Sequence, residues 1–257
     1  VEDFRVARGD TLDRPAFEEG DRLRTFDVVL ANPPYSIKRW NREAFRSDIW
    51  GRNFLGTPPQ GRADYAFFQH ILKSLDPDTG RCAILFPHGV LFRKEESEMR
   101  RKLIESDLVE CVLGLAPNLF YNSPMEACIV VCRTRKPSER RGKILFIDAL
   151  NEVTRVQAQS FLNTEHQERI LQAYRAFTDE PGLATVATPD TIALQDYSLS
   201  IPLYVRRRSV ETEESETRSL QEVWRDWEES GRVFWREMDG LIDMLDGLTD
   251  SALEEGE

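Results

Sequence analysis

Apolar positions along the first 150 residues fall into two alternating patterns. Short unbroken runs have the length of strands: "FDVVLA" (26–31), "CAILFP" (82–87), "LVECVLGL" (108–115), "EACIVVCRT" (126–134) and "KILFIDA" (143–149). Between the first two, "ADYAFFQHILKSL" (63–75) spaces Ala66, Phe67, Ile71, Leu72 and Leu75 as a helix does. "EESEMRRKLIES" (95–106) predicts a second helix, and "DPDTG" (76–80) is turn chemistry. Apolar strands buried on both faces and interleaved with helices predict the α/β class, with a mostly parallel sheet covered by helices. The last two runs have no helix between them, which predicts a hairpin and an antiparallel strand near the end of the sheet.

Beyond residue 150 the pattern changes twice. Residues 151–180 read as helical, above all "NTEHQERILQAYRAF", with Asn163 or Thr164 as its cap. Residues 183–205 are mixed and end in "LQDYSLSIPLYV". From about Ser215, Leu220, Trp224, Trp227, Phe234, Met238, Leu241, Leu245 and Leu248 follow a 4-3 spacing, with Gly231 in the one missing step. That predicts a long amphipathic helix, or two hinged at Gly231, with a coiled-coil-like seam. The seam packs on a partner or folds back on its own domain; its regularity favours a partner. The chain thus divides into 1–150, a mixed α/β extension at 151–208, and an acidic helical tail at 209–257.

Charge follows the same division. Ser209–Glu257 holds 4 basic and 16 acidic residues, a net of -12, so the total of -11 leaves +1 on Val1–Arg208. A near-neutral body gives little non-specific attraction to phosphate, and a DNA-acting protein of this kind would lean on a partner for it. At 40% hydrophobic residues the chain can build a core. Cys82, Cys111, Cys128 and Cys132 lie in apolar runs without the spacing of a zinc site and read as buried free thiols. No metal site is expected. No run is long enough to span a bilayer, and the expected location is cytoplasmic.

Candidate chemistry centres on "NPPY" (32–35), which closes the first strand. Prolines lack the N–H that a sheet needs and fix the backbone, so Asn32-Pro33-Pro34 is a stiff bracket at the strand's carboxyl end. Ligands of open α/β sheets bind at that edge. The Asn32 side chain and the backbone carbonyls of Asn32 and Pro33 are acceptors suited to holding an amino group. Tyr35 offers a flat face to a planar ring. A plain Asn-Pro turn is the bland alternative. The polar, irregular stretch 36–62 directly afterwards is long for a passive loop.

"FDVVLANPPY" resembles the catalytic motif of S-adenosylmethionine-dependent amino-methyltransferases, which include DNA adenine-N6 methyltransferases. The resemblance implies a Rossmann-like methyltransferase sheet. It also implies that Asn32 and the Pro33 carbonyl hold the target amino group, with Pro34 stiffening the corner and Tyr35 stacking on the target. "RGDTL" (8–12) is similar to the family's acidic motif, placing the cofactor's adenine at Asp10, with Thr11 beside it. Asp64, Ala66 and Phe67 would line the cofactor pocket together with Asn32. "NLFYNSPMEACIVV" (118–131) resembles the segment whose aromatic stacks on a base swung out of DNA. That implies Phe120, with Tyr121 the alternative.

"QDYSLSIPLYV" (195–205) is similar to a stretch in modification subunits of type I restriction-modification systems, with Gln195, Ser198, Ser200 and Leu203 as departures. The resemblance covers roughly residues 6–205 and implies DNA, a specificity subunit and a restriction subunit as partners. No Gly-x-Gly occurs in the chain, which starts at Val1 and enters directly into "EDFRVARGDTL". We read it as the C-terminal portion of a modification subunit, with the N-terminal strands of the sheet missing and a C-terminal helical appendage. The isolated chain is expected to bind cofactor weakly. The rival readings are a glutamine-amide or RNA amino-methyltransferase and a non-catalytic assembly subunit of the same fold.

Overall fold

The structure, a computed structural model, describes residues 4–35, 37–120, 125–206, 224–229, 231–232, 235–236 and 238. The chain forms two compact units, Val1–Arg208 and Ser209–Glu257.

The first unit is built on a six-stranded sheet. Its strands are β1 (Val28–Ala31), β2 (Arg81–Pro87), β3 (Val109–Leu115), β4 (Ala127–Arg133), β5 (Ile144–Ala149) and β6 (Ala184–Ala187), in the order β6-β5-β3-β4-β2-β1. Among the described residues the longer helices beside them are α1 (Asp64–Lys73), α2 (Ser97–Glu105) and α3 (Thr164–Ala176). The β1–β2 and β3–β5 pairs are parallel, and β2–β4, β3–β4 and β5–β6 are antiparallel. The sheet is therefore more mixed than its apolar runs predict. The expected hairpin of 126–134 with 143–149 does not form, because β3 lies between those strands and pairs with both. The antiparallel neighbours that follow one another in the chain are instead β3 and β4.

Alternation along the strands divides the core. Ile84, Phe86, Cys128, Val130 and Phe146 face one side and pack with Tyr65, Phe68, Ile71 and Leu72 of α1 and Met99, Leu103 and Ile104 of α2. Cys111, Leu145 and Ile147 face the other and meet Ile170 and Ala173 of α3. All four cysteines are buried and unpaired by disulfides. The Gln195–Val205 segment clasps the first face: Arg100 Nε donates to the Tyr197 carbonyl (2.8 Å), Leu199 N–H donates to Leu91 (2.8 Å), and the Tyr204 ring stacks on Phe146.

Asn163 caps α3 with its side chain accepting from the third helical residue, while its own N–H reaches His166 Nδ1 (3.2 Å). Residues 154–161, expected to be helical, form a small hairpin of Thr154–Val156 with Gln159–Phe161. The turn is made without glycine: Gln157 takes the left-handed conformation at φ 55°.

β1 is one edge strand of the sheet among the described residues, with Val28 48% and Leu30 79% exposed. In the second unit, the described residues 224–229, 231–232, 235–236 and 238 are helical. Trp224, Trp227 and Trp235 are exposed there, the first two with ring centroids 5.2 Å apart. Of the expected seam, Leu220, Phe234, Leu241, Leu245 and Leu248 lie outside the described residues. Among the described residues no helix is long and apolar enough to cross a membrane.

Candidate active site

The β1–β2 ladder ends at Ala31 opposite Ile84, so Asn32 and Pro33 lie past the paired region. Pro33 is buried and anchors the corner, while Asn32 and Pro34 are exposed and Tyr35 is half-buried. Burial pushes the Tyr35 phenol above its ordinary value, and Cys128 and Asp64 add to the effect. Tyr35 is thus a neutral hydroxyl on an aromatic face at neutral pH.

Asn32 and Phe120 line one cavity of ≈ 680 Å³, with Leu30, Ala31, Leu115 and Leu119 among its walls. Phe120 is 37% exposed, which separates it from the core aromatics Phe68 and Phe86 at 2% or less. Its loop is tied down at Asn118, in the left-handed region at φ 61°, whose carbonyl accepts from Ser160 N–H (3.0 Å). Ser160 and Phe161 therefore reach the same cavity, and Phe161 is 45% exposed. The sequence reading missed Phe161 by taking its segment as helix. Tyr35 does not line this cavity, and Tyr121 lies outside the described residues.

The acidic segment forms a tight turn. Asp10 Oδ1 accepts from Leu12 N–H (3.0 Å) and Asp13 N–H (3.2 Å), and the Asp10 carbonyl accepts from Arg14 N–H (2.9 Å). Asp10 is exposed, and these bonds leave Oδ2 as an available acceptor. Asp10 borders a small cleft of ≈ 370 Å³ with Asp13 and Arg14. Thr11 lines a neighbouring cavity of ≈ 650 Å³ with Phe26, Val28, Leu30 and His70. Leu30 belongs to this cavity and to the one at Asn32, so a single strand separates them.

Ala66 and Phe67 are buried in a cluster with Leu12, Phe45 and Ala63, which seats the start of α1 against the acidic segment. Asp64 is also buried, and Arg93 Nη1 donates to its Oδ2 (2.6 Å). Glu96 stands 3.7 Å from the same nitrogen, fully buried, with neither carboxylate oxygen hydrogen-bonded. Burial raises it to about 7, against the opposing pull of Arg93.

The strand order and the cleft at the strand ends define an α/β protein of the methyltransferase type. The chain matches the N-6 DNA Methylase family over residues 1–214, and it belongs to that family. It is 31% identical to the type I restriction enzyme MjaVIII methylase subunit of Methanocaldococcus jannaschii, over 96% of this chain and 44% of the relative. It is 30% identical to the HindI methylase subunit of Haemophilus influenzae, over 79% of this chain and 46% of the relative. The chain thus spans less than half the length of these relatives. Among solved structures it resembles the type I restriction-modification methyltransferase subunit from Streptococcus thermophilus. The TM-score is 0.70 and the identity 35%, over 76% of this chain and 41% of that one. The EcoKI M protein shares the fold at TM-score 0.58 and 17% identity, over 79% of this chain and 47% of that one.

Proposed function

We propose that this chain carries the catalytic corner of a DNA adenine-N6 methyltransferase, the modification subunit of a type I restriction-modification system. The observation that carries the reading is the shared cavity of Asn32 and Phe120 at the end of β1, in a member of the N-6 DNA methylase family.

The residues at the acidic turn fit one end of S-adenosylmethionine. An exposed carboxylate with an available oxygen, set beside buried Ala66 and Phe67, suits the amino group of an adenine ring. Thr11, packed next to Asp10, would flank it. Asp64 would act through its ion pair with Arg93 as support for the start of α1. When bound, the cofactor supplies an electrophilic methyl group.

The chain's own residues hold the acceptor. An adenine extruded from the duplex would enter the cavity and lie against Phe120, which offsets part of the lost stacking. The Asn32 amide oxygen and the Pro33 carbonyl accept hydrogen bonds from its amino group. As that nitrogen attacks, positive charge grows on it, and these preorganised acceptors stabilise the charge. Pro33 and Pro34 keep the bracket rigid, so little reorganisation is needed at that moment. Tyr35, outside the cavity lining, would complete the aromatic surround from the α1 side.

Partners follow from the same reading. The near-neutral body leaves DNA affinity and sequence readout to a specificity subunit, and the exposed tryptophans of the acidic unit support docking to it. A restriction subunit would complete the system.

The test is expression of the gene from its natural start, with and without a neighbouring specificity gene, followed by methylation-sensitive sequencing. N6-methyladenine at a defined site is expected. Its absence in both cases would exclude the reading. Asn32→Ala should lower the rate on the order of a hundredfold or more, with an unchanged melting temperature.

A further inference from the structure

Arg52 sits in the long polar loop after the corner, where an arginine is normally solvated. Its side chain is 1% exposed. Nε and Nη2 donate to Asp48 Oδ1 (2.9 and 2.6 Å), and Asp48 Oδ2 accepts from the Arg52 backbone N–H (2.7 Å). The remaining bonds leave the loop altogether: Nη1 donates to the Thr11 carbonyl (2.8 Å) and Nη2 to the Leu12 carbonyl (2.9 Å). The rings of Trp50 and Phe45 lie 4.8 and 5.4 Å from the guanidinium carbon. Asp48 shares its burial, at 1% side-chain exposure, so the charge is compensated locally. The fork of donors is spent on two consecutive backbone carbonyls.

Those carbonyls belong to the turn that shapes Asp10. Leu12, held by its carbonyl, uses its N–H to grip Asp10 Oδ1. Asp13, next in the chain, supplies the second grip, and its own carboxylate accepts from Asn41 in the long loop (3.4 Å). The loop is closed on itself by Trp40 Nε1 donating to the Gln60 carbonyl (2.9 Å) and Gln60 Nε2 donating to the Trp40 carbonyl (3.1 Å). It is joined to the N-terminal segment again where Trp50 Nε1 donates to Glu18 (3.0 Å).

We propose that Arg52 is a positioning residue, which clamps Thr11 and Leu12 so that the Asp10 carboxylate is presented to the cofactor's adenine. The proposal rests on the assignment of Asp10 in the reading above. It makes the loop after the catalytic corner a brace for the cofactor side, besides any part it plays toward DNA. Lysine cannot replace the fork, since one ammonium cannot serve two carbonyls and a carboxylate in the same plane.

The test uses the protein expressed from its natural start. Wild type, Arg52→Lys and Asp48→Asn are compared for S-adenosylmethionine dissociation constant, kcat at saturating cofactor, melting temperature and amide hydrogen exchange. In Arg52→Lys the cofactor dissociation constant and KM should rise about tenfold to a hundredfold, while kcat changes far less. Exchange at the Leu12 and Asp13 amides should accelerate selectively. Asp48→Asn keeps the bonds to the carbonyls and should show a smaller rise. A lowered melting temperature with unchanged cofactor affinity in Arg52→Lys would overturn the proposal while leaving the methyltransferase reading intact. A wild-type protein that neither binds the cofactor nor methylates DNA would overturn both.

Discussion

In the proposed reading, Phe120 and Asn32 divide the work of recognition between surface and hydrogen bond. Phe120 keeps 37% of its surface although its neighbours Leu115 and Ala116 are almost fully buried. An aromatic held half-open at a cavity wall is suited to stacking. Phe120→Ala should weaken binding of the target base by about 1–3 kcal/mol, and Phe120→Trp should restore most of it, measured by DNA affinity and KM. Equal DNA affinity in wild type and Phe120→Ala would remove the stacking role. The meeting of Asn32 and Phe120 at one cavity rests on two local signals, a strand closed by two prolines and a loop aromatic before a strand. Arg52 was not legible. Its burial is created by carbonyls of Thr11 and Leu12, about forty positions earlier, and nothing in its own neighbourhood announces them.

Among elements, those read well are the ones whose burial is written in their own residues. The five apolar runs are all strands, and α1 and α2 fall where the helical spacing put them. Strand order was not readable, because which neighbour β3 accepts is decided by packing across the sheet and not by its sequence. The 154–161 hairpin escaped for a different reason: its turn places Gln157, not glycine, in the left-handed region, so the usual punctuation is missing. The hairpin matters because it delivers Phe161 to the cavity that Asn32 and Phe120 line. The acidic second unit invites its own experiment. Removing residues 215–257 should abolish co-purification with a specificity subunit while leaving cofactor binding within about twofold, as expected for separate binding units. Loss of cofactor binding on deletion would mean the segment supports the catalytic body itself.

At the scale of the first unit, buried Glu96 and half-buried His70 set opposing pH dependences. Glu96 rises from 4.5 to about 7, so its cost grows as pH climbs through that window, where the folded state holds the proton more tightly than the unfolded chain. His70 falls from 6.5 to about 4, chiefly through burial and then through Arg52, and its Nδ1 has no hydrogen-bond partner. Its cost therefore grows as pH drops from 6.5 to 4. The windows overlap, and with each shift corresponding to roughly 3 kcal/mol the two slopes nearly cancel between about 4.5 and 6.5. Glu96→Gln should uncover the histidine's slope, giving stability that rises with pH from 4 to 6.5 and then levels, read by urea unfolding at each pH. A flat profile in that variant would show that His70 does not titrate as its surroundings dictate.

The paired prolines have a consequence for whatever lies alongside β1. Among the described residues no strand pairs with its outer side, and Pro33 and Pro34, just past its end, have no N–H to offer. Any segment that zips onto Val28–Ala31 runs out of partners at the corner and has to peel away there. That corner adjoins the cavity that Asn32 lines. The same dipeptide that stiffens the bracket thus also keeps the doorway beside it from being sewn shut.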